Sequence, residues 1–440
     1  MSPGRSRHVV LACALLIASG APARAHADGA LPNSLGVLLP SDRPHSILIA
    51  TNFGLLSSED DGASWSLVCE EAVGVGAALY QIGPPPEDRL FTVTSDGIAR
   101  STDFGCGWEQ SPEPYWPTDV FADPSDAGRV YAIAHVMQSD AGSPPQAVFA
   151  SDDGGHTFGT ALFTGPAAAY LTGVEAAASD DGVVYISLTQ LDANDNHPYL
   201  MRSRDRGASW TMLPIESSVG KQLPRILAVD ADDARRVYLR LSNGKDQLGI
   251  YDDDTGKVDV VLSLPGFMTA FLRRADGALL VAGDDGSIFA SQPGGKSFVQ
   301  LASSPHLRGL GERAGTLYAA TDVSQDDFAV AASTDDGATW KPLLRFTDIA
   351  GLRQCGTIPA TCAAAWDAIQ PGIAMPLAPR PVPDTGVSPT GTDESGGCAV
   401  RRGGVSASNP AGLAAIAVAC ILLRMRRRAR HLRNSTQATD

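Results

Sequence analysis

Positive charge, aromatic rings and long apolar runs are all scarce in this chain of 440 residues, and each shortage closes a class of function. Lysine and arginine number 34 against 49 acids, a formal net charge of −15. The ends hold much of the basic material: residues 1–27 carry three arginines and no acid, and residues 396–440 carry eight arginines against Asp440 alone. The body between them is therefore near −25, a surface that repels phosphate backbones, so no nucleic-acid partner is expected. Aromatic residues make up only 6%, and 45 glycines with 30 prolines exclude a long-helix protein, while 44% hydrophobic residues exclude wholesale disorder. Many short strands are expected. No H-E-x-x-H, G-x-S-x-G or P-loop spacing occurs, so metalloprotease, hydrolase and nucleotide-binding readings have no support. There is no C-x-x-C and no clustered histidine, and neither a metal nor a cofactor is expected.

The two apolar runs that do exist lie at the ends. Arg5, Arg7 and His8 precede Val9 to Ala18, and the small-residue patterns Ala23-Arg24-Ala25 and Ala25-His26-Ala27 follow, which reads as a secretory signal peptide over residues 1–27. Near the other end, Val405 to Leu423 is an uncharged stretch long enough to span a bilayer, and Arg424, Arg426, Arg427, Arg428, Arg430 and Arg433 follow it. The positive-inside rule places those arginines in the cytoplasm before any processing. A Pro/Thr/Ser/Gly linker over 375–397 leads into Gly396-Gly397-Cys398. Linker, Gly-Gly-Cys, helix and arginines in that order resemble the myxobacterial C-terminal sorting tail known as MYXO-CTERM, here residues 398–433. The resemblance implies display in the cell envelope or at the cell surface, with Cys398 as the sorting or attachment residue; an ordinary single-pass membrane anchor is the rival reading.

Between the ends an octet S-x-D-x-G-x-x-W recurs. It is carried by Ser58, Asp60, Gly62 and Trp65; by Ser101, Asp103, Gly105 and Trp108; by Ser203, Asp205, Gly207 and Trp210; and by Ser333, Asp335, Gly337 and Trp340. With Phe in the last place it returns as Ser151, Asp153, Gly155 and Phe158. Two eroded copies fill the gaps: Ser291 to Phe298 has Pro293 for Asp, and Asp252 to Asp259 keeps only Asp254 and Gly256. Successive copies start 43, 50, 52, 49, 39 and 42 residues apart, the length of a four-stranded propeller blade. The expected fold is an all-β, seven-bladed β-propeller running from about Leu35 to Phe346 within a domain over 28–374. Residues 347–374 exceed what the seventh blade needs and are expected to close the ring or pack beneath it.

The octet resembles the Asp box, or BNR repeat, of the propellers of sialidases, sortilin-like receptors, xyloglucanase-type hydrolases and photosystem II assembly factors. Its physics is structural. Gly supplies a positive φ, the Asp carboxylate accepts backbone hydrogen bonds, and the aromatic ring starts the next strand and packs between sheets. Within the third repeat, strands are expected at Asp119 to Ala122, Val130 to Ala134, Ala147 to Ala150 and Phe158 to Phe163; within the fifth, at Arg225 to Val229, Val237 to Leu241, Leu248 to Tyr251 and Val258 to Leu262.

Cys13 leaves with the signal peptide, Cys420 belongs to the apolar stretch and Cys398 to the tail, which leaves Cys69, Cys106, Cys355 and Cys362 for disulfides in an exported domain. Of three possible pairings, Cys69 with Cys106 and Cys355 with Cys362 is the expected one. No catalytic residue is assigned. The sialidase resemblance implies an arginine triad, an Arg-Ile-Pro motif and a Tyr/Glu pair with an Asp, and none can be placed; Pro224-Arg225-Ile226-Leu227 has the wrong order. The chemically distinctive loop is Leu191 to Pro198 of the fourth repeat, where Asp192, Asn194, Asn196 and His197 are candidate binding residues. Asp192, Asn194 and Asn196 open like a calcium loop, but its turn glycine and closing Glu are missing. This loop, Val136 to Gln146 and Val323 to Asp327 are expected on the face opposite the octets. The functional expectation is a surface binding or interaction propeller for a protein or glycan ligand, with a sialidase-like or other glycoside hydrolase as the alternative.

Overall fold

The computed structural model describes residues 32–373, apart from 78, 112, 115, 137–144, 193–194 and 302–304. The expected signal peptide, linker, Cys398, apolar stretch 405–423 and arginine cluster lie outside the described residues, as does Asn194. Among the described residues no helix is long and apolar enough to cross a membrane.

Seven antiparallel sheets follow one another along the chain, each with its strands in sequence order. Their inner strands are Ser34–Leu38, Tyr80–Ile82, Pro117–Ala122, Ala169–Ala176, Leu223–Val229, Met268–Arg273 and Leu307–Arg313. This is the seven-bladed all-β propeller. The second strands show why the sequence folds so: Ile47–Thr51 is buried along its whole length and Val184–Leu191 over six positions, because each sheet is covered on both faces by its neighbours. The apolar side chains gather into seven separate cores, one in each seam between adjacent blades. The fifth blade exists despite its eroded octet, with strands Arg236–Ser242, Asp246–Asp252 and Lys257–Ser263 behind its inner strand. One expected strand is shorter than the sequence suggested. The outer strand of blade three spans only Phe163–Thr164, because Gly159 and Leu162 make isolated bonds to Ala150 and Val148 and the segment between them leaves the ladder.

Ring closure occurs twice over. On the inner side, Gly36 of blade one meets Gly309 of blade seven so closely that a Cβ at 309 would lie 2.7 Å from the Gly36 Cα. The Ser34 hydroxyl donates towards Thr321 O (2.7 Å) and Ala329 O (2.8 Å) and accepts from Thr321 N–H (3.0 Å). On the outer side, the chain after blade seven crosses back to blade one. Gly351–Leu352 pairs in parallel with Ser66 and Leu67 as a fifth strand, and the helix Ile358–Ile373 follows. Arg353 donates to Phe104 O and Glu59, and its guanidinium lies 4.7 Å over the Phe104 ring, tying this clasp to blade two as well.

The disulfide pairing departs from expectation. Cys69 bonds to Cys362 and Cys106 to Cys355, with Cα–Cα distances of 5.6 and 5.5 Å. Cys69 ends the outer strand of blade one and Cys106 lies in the turn of blade two, and the C-terminal segment runs past both, offering one cysteine to each. Cys355 and Cys362 therefore fasten the clasp rather than closing a loop of their own.

Candidate functional site

Each octet forms the turn between the third and fourth strands of its blade. In blade four, Ser203 Oγ donates to Asp205 Oδ1 (2.8 Å) and accepts from Gly207 N–H (2.7 Å), while Asp205 accepts from Ser209 N–H (2.8 Å) and the Ser209 hydroxyl (2.6 Å). Blades one, three and seven repeat this set through Asp60, Asp153 and Asp335, and blade two repeats its core through Asp103. Gly207 has φ 95°, and a Cβ there would lie 2.7 Å from Leu162 of blade three, so the position requires glycine for conformation and for space. Hydrogen bonds to Ser64 and Ser209 hold the Asp60 and Asp205 carboxyls below the usual carboxylate range. Trp65 is buried in the seam between blades one and seven, and its indole N–H donates to Gly62 O (3.0 Å). The octet residues thus serve turns and seams.

The candidate loop joins the second and third strands of blade four, on the face opposite the octets. Its side chains are largely occupied by one another. His197 Nδ1 meets Glu216 Oε2 at 2.8 Å and Nε2 meets Asp192 Oδ2 at 2.9 Å, while Lys221 Nζ reaches Glu216 Oε1 at 2.6 Å and Asp195 Oδ2 at 3.5 Å. The bonds to Asp192 and then Glu216 raise the His197 pKa. Asn196 begins the third strand, paired with Leu191, and does not join that network through any hydrogen bond found. On the same face, the connection of blade seven makes a helical turn, Val323–Asp326, with Asp322 as its cap.

A different set of residues dominates this face, and sequence reasoning missed it. Six inner strands carry a one-residue register shift at the equivalent place, with Leu35, Thr118, Thr172, Leu227, Thr269 and Arg308 as the extra residues. A bulge bends the strand and re-aims its side chains. The residue before each bulge is buried: Ser34, Pro117, Leu171, Ile226, Met268 and Leu307. The residue before that stands near the start of the inner strand, towards the face opposite the octets, and in blades three to seven it is Trp116, Tyr170, Arg225, Phe267 and His306. Trp116, Tyr170 and Phe267 are 39%, 56% and 46% exposed, high values for rings in a chain so poor in them. Arg225 is exposed and is the one arginine among the described residues for which no hydrogen bond or ion pair is found. His306 is engaged by Asp326, 3.0 Å from its Nδ1.

Further along the same inner strands lie two carboxyls. Asp119 Oδ2 accepts from Val174 N–H of the next blade (3.2 Å), and Glu175 Oε2 accepts from Val229 N–H of the blade after (3.1 Å). Burial pushes Asp119 up to about 6 and Glu175 up to about 8, with Arg225 pulling both back. One oxygen of each is turned into the blade wall, which suits interblade stitching. The arrangement offers apolar ring faces for stacking, one exposed guanidinium that holds no hydrogen bond found among the described residues and lies within electrostatic reach of two buried carboxyls, and those carboxyls themselves.

No protein-family model matches the chain, and no curated protein does. Among solved structures it is similar to a xyloglucanase from Xanthomonas campestris, at 14% identity over 70% of this chain and 58% of that one, with a TM-score of 0.40. It is also similar to the extracellular domain of a putative one-component system from B. thetaiotaomicron, at 13% identity over 70% of this chain and 39% of that one, with a TM-score of 0.46. A third is YCF48 from Cyanidioschyzon merolae, at 14% identity over 69% of this chain and 95% of that one, with a TM-score of 0.46. The chain thus spans less than two thirds of the first two structures' length, and the architecture rests on its own seven sheets.

Proposed function

We propose that this chain is an Asp-box propeller of the bacterial cell envelope that binds its ligand, without chemistry, at the channel mouth opposite the octet turns. The observation that carries the reading is the set Trp116, Tyr170, Arg225 and Phe267 at equivalent positions of four consecutive blades, three exposed rings and an exposed arginine. Exposed aromatics gathered at one rim are a binding feature, since singly scattered ones need no explanation and clustered ones do. Export through residues 1–27 and anchoring through the tail 398–433 with Cys398 would present this face outside the cytoplasm. The two disulfides suit an oxidising compartment.

The runner-up is a glycoside hydrolase, favoured by Asp119 and Glu175, two channel-side carboxyls with raised pKa. Their bonds to Val174 and Val229 N–H groups weigh against it, because a catalytic pair must face its substrate. Binding of the purified protein to glycan and peptide arrays tests the proposal. Tyr170→Ala and Arg225→Ala should each weaken any specific signal about tenfold, and Tyr170→Ala should leave the melt unchanged, since that side chain is exposed. Unchanged binding in both variants places the ligand elsewhere.

A further inference from the structure

On the octet face, at the seam between blades four and five, lies a concavity of about 250 Å³. Its wall is formed by Asp180 and Arg204 of blade four and by Asp232, Asp233, Arg235 and Asp253 of blade five, with Val183, Ala234 and Tyr185 as its less polar part. The seam differs from the others for a reason visible in the sequence. Blade five has the most eroded octet, and its Gly256 has nothing within 4 Å of a Cβ position, whereas Gly207, Gly62 and Gly337 press on a leucine of the preceding blade. The turn that would close this seam therefore stands off it.

Two observations say what such a cleft would hold. The first is charge: four aspartates and two arginines line the cleft, Arg273 and Arg202 from outside it engage Asp232 and Asp253 as well, and Asp180 is the carboxylate for which no ion pair is found among the described residues. Arg204 is committed to Asp253 (2.7 Å) and Arg235 to Asp233 (3.0 Å) and Asp254 (2.8 Å), while among the described residues the one hydrogen bond found for the Asp180 carboxylate comes from the Gly182 N–H (3.1 Å). The second is Tyr185. Its side chain is fully buried, it borders the cleft, and its hydroxyl has no hydrogen-bond partner among the described residues. Asp253 and Arg204 line the cleft beside it. A buried hydroxyl left unpaired is costly, and one that borders an acidic cleft is an acceptor waiting for an N–H donor.

We propose that this seam binds a small organic cation with several N–H donors, of the diamine or guanidinium class. The cation would sit between Asp180 and Tyr185. A volume of about eight waters suits a molecule of that size. A divalent metal is the poorer fit, because no group of three or more His, Cys, Asp or Glu among the described residues is placed to hold one.

The test is calorimetric titration of the purified full chain with agmatine, with putrescine, and with calcium chloride alone. Saturable binding of agmatine or putrescine at one site per chain is expected, weakened about tenfold by Tyr185→Phe and by Asp180→Asn. Tyr185→Phe removes a hydroxyl that nothing in the fold uses, so the ligand-free melt should not fall, and a loss of binding in that variant cannot be blamed on unfolding. Because the cleft is on the opposite face, Arg225→Ala should leave this binding intact even if the channel-mouth reading fails. No saturable amine binding below about 10 mM, binding indifferent to both substitutions, or a response to calcium alone would each overturn the proposal.

Discussion

The two disulfides make a prediction that can be worked from chain length alone. Cys69–Cys362 and Cys106–Cys355 are nested, with sequence separations of 293 and 249 residues. With either one intact, breaking the other enlarges a loop of only about 45 residues in the unfolded chain, worth about 4 kcal/mol in the loop-entropy account. Breaking the remaining bond then frees a loop of about 250 residues or more, worth about 5.5 kcal/mol. The cost of removing both should therefore exceed the sum of the separate losses by about 1.5 kcal/mol, a coupling between sites that share one unfolded-state constraint. Cys69 and Cys362 are fully buried and Cys106 and Cys355 half-buried, so the Cys69→Ala/Cys362→Ala pair should also lose some packing and be the costlier of the two. Urea unfolding followed by tryptophan fluorescence on the parent, each paired variant and the quadruple variant measures all four corners. Separate losses below about 1 kcal/mol, or strictly additive losses, would refute the claim that the C-terminal segment clasps the ring.

Two further perturbations follow from the seams and the channel. Trp65→Ala should cost about 3 to 5 kcal/mol by urea unfolding because its ring is buried between blades one and seven. Trp210→Ala should cost less, about 2 kcal/mol, since that ring is half-buried against Phe163 and its indole N–H has no partner among the described residues. Glu175 is raised to about 8 by burial, so the folded state holds a proton that the unfolded state releases, and stability from this group falls as pH climbs from the ordinary carboxyl range towards 8. Glu175→Gln should therefore be close to neutral at pH 5 and stabilising relative to the parent at pH 8.5, read from melts at the two pH values. A variant equally destabilised at both would show that the carboxylate form is the one the fold uses.

The octet period carried nearly all of the architecture, because a turn that needs Ser, Asp, Gly and an aromatic ring at fixed offsets leaves a visible mark each time it is built. Blade five was legible without its octet, since Val237 to Leu241 is buried on both sides of a sheet and reads as a strand in any context. The clasp was legible only as surplus chain. Residues 355 and 362 look like a short loop in sequence, and their partners are set by where the chain returns to the ring, which no local pattern records. The set of residues near the inner-strand starts was missed for a related reason. Trp116, Tyr170, Arg225, Phe267 and His306 share a position but no residue type, and they come into register only when the repeats are aligned on the buried residue that follows each of them. The loop with Asp192 and His197 drew attention by composition, yet Glu216 and Lys221, from the next connection, already satisfy it.

Binding and turnover measured together test the central reading most directly. The purified protein and its Trp116→Ala/Tyr170→Ala/Arg225→Ala variant would be taken through a glycan array and a panel of fluorogenic glycosides under identical conditions. The account predicts specific binding by the parent, at least about tenfold weaker in the variant, and no glycoside turned over by either. Reproducible hydrolysis of any glycoside by the parent, abolished by Asp119→Asn or Glu175→Gln, would contradict it.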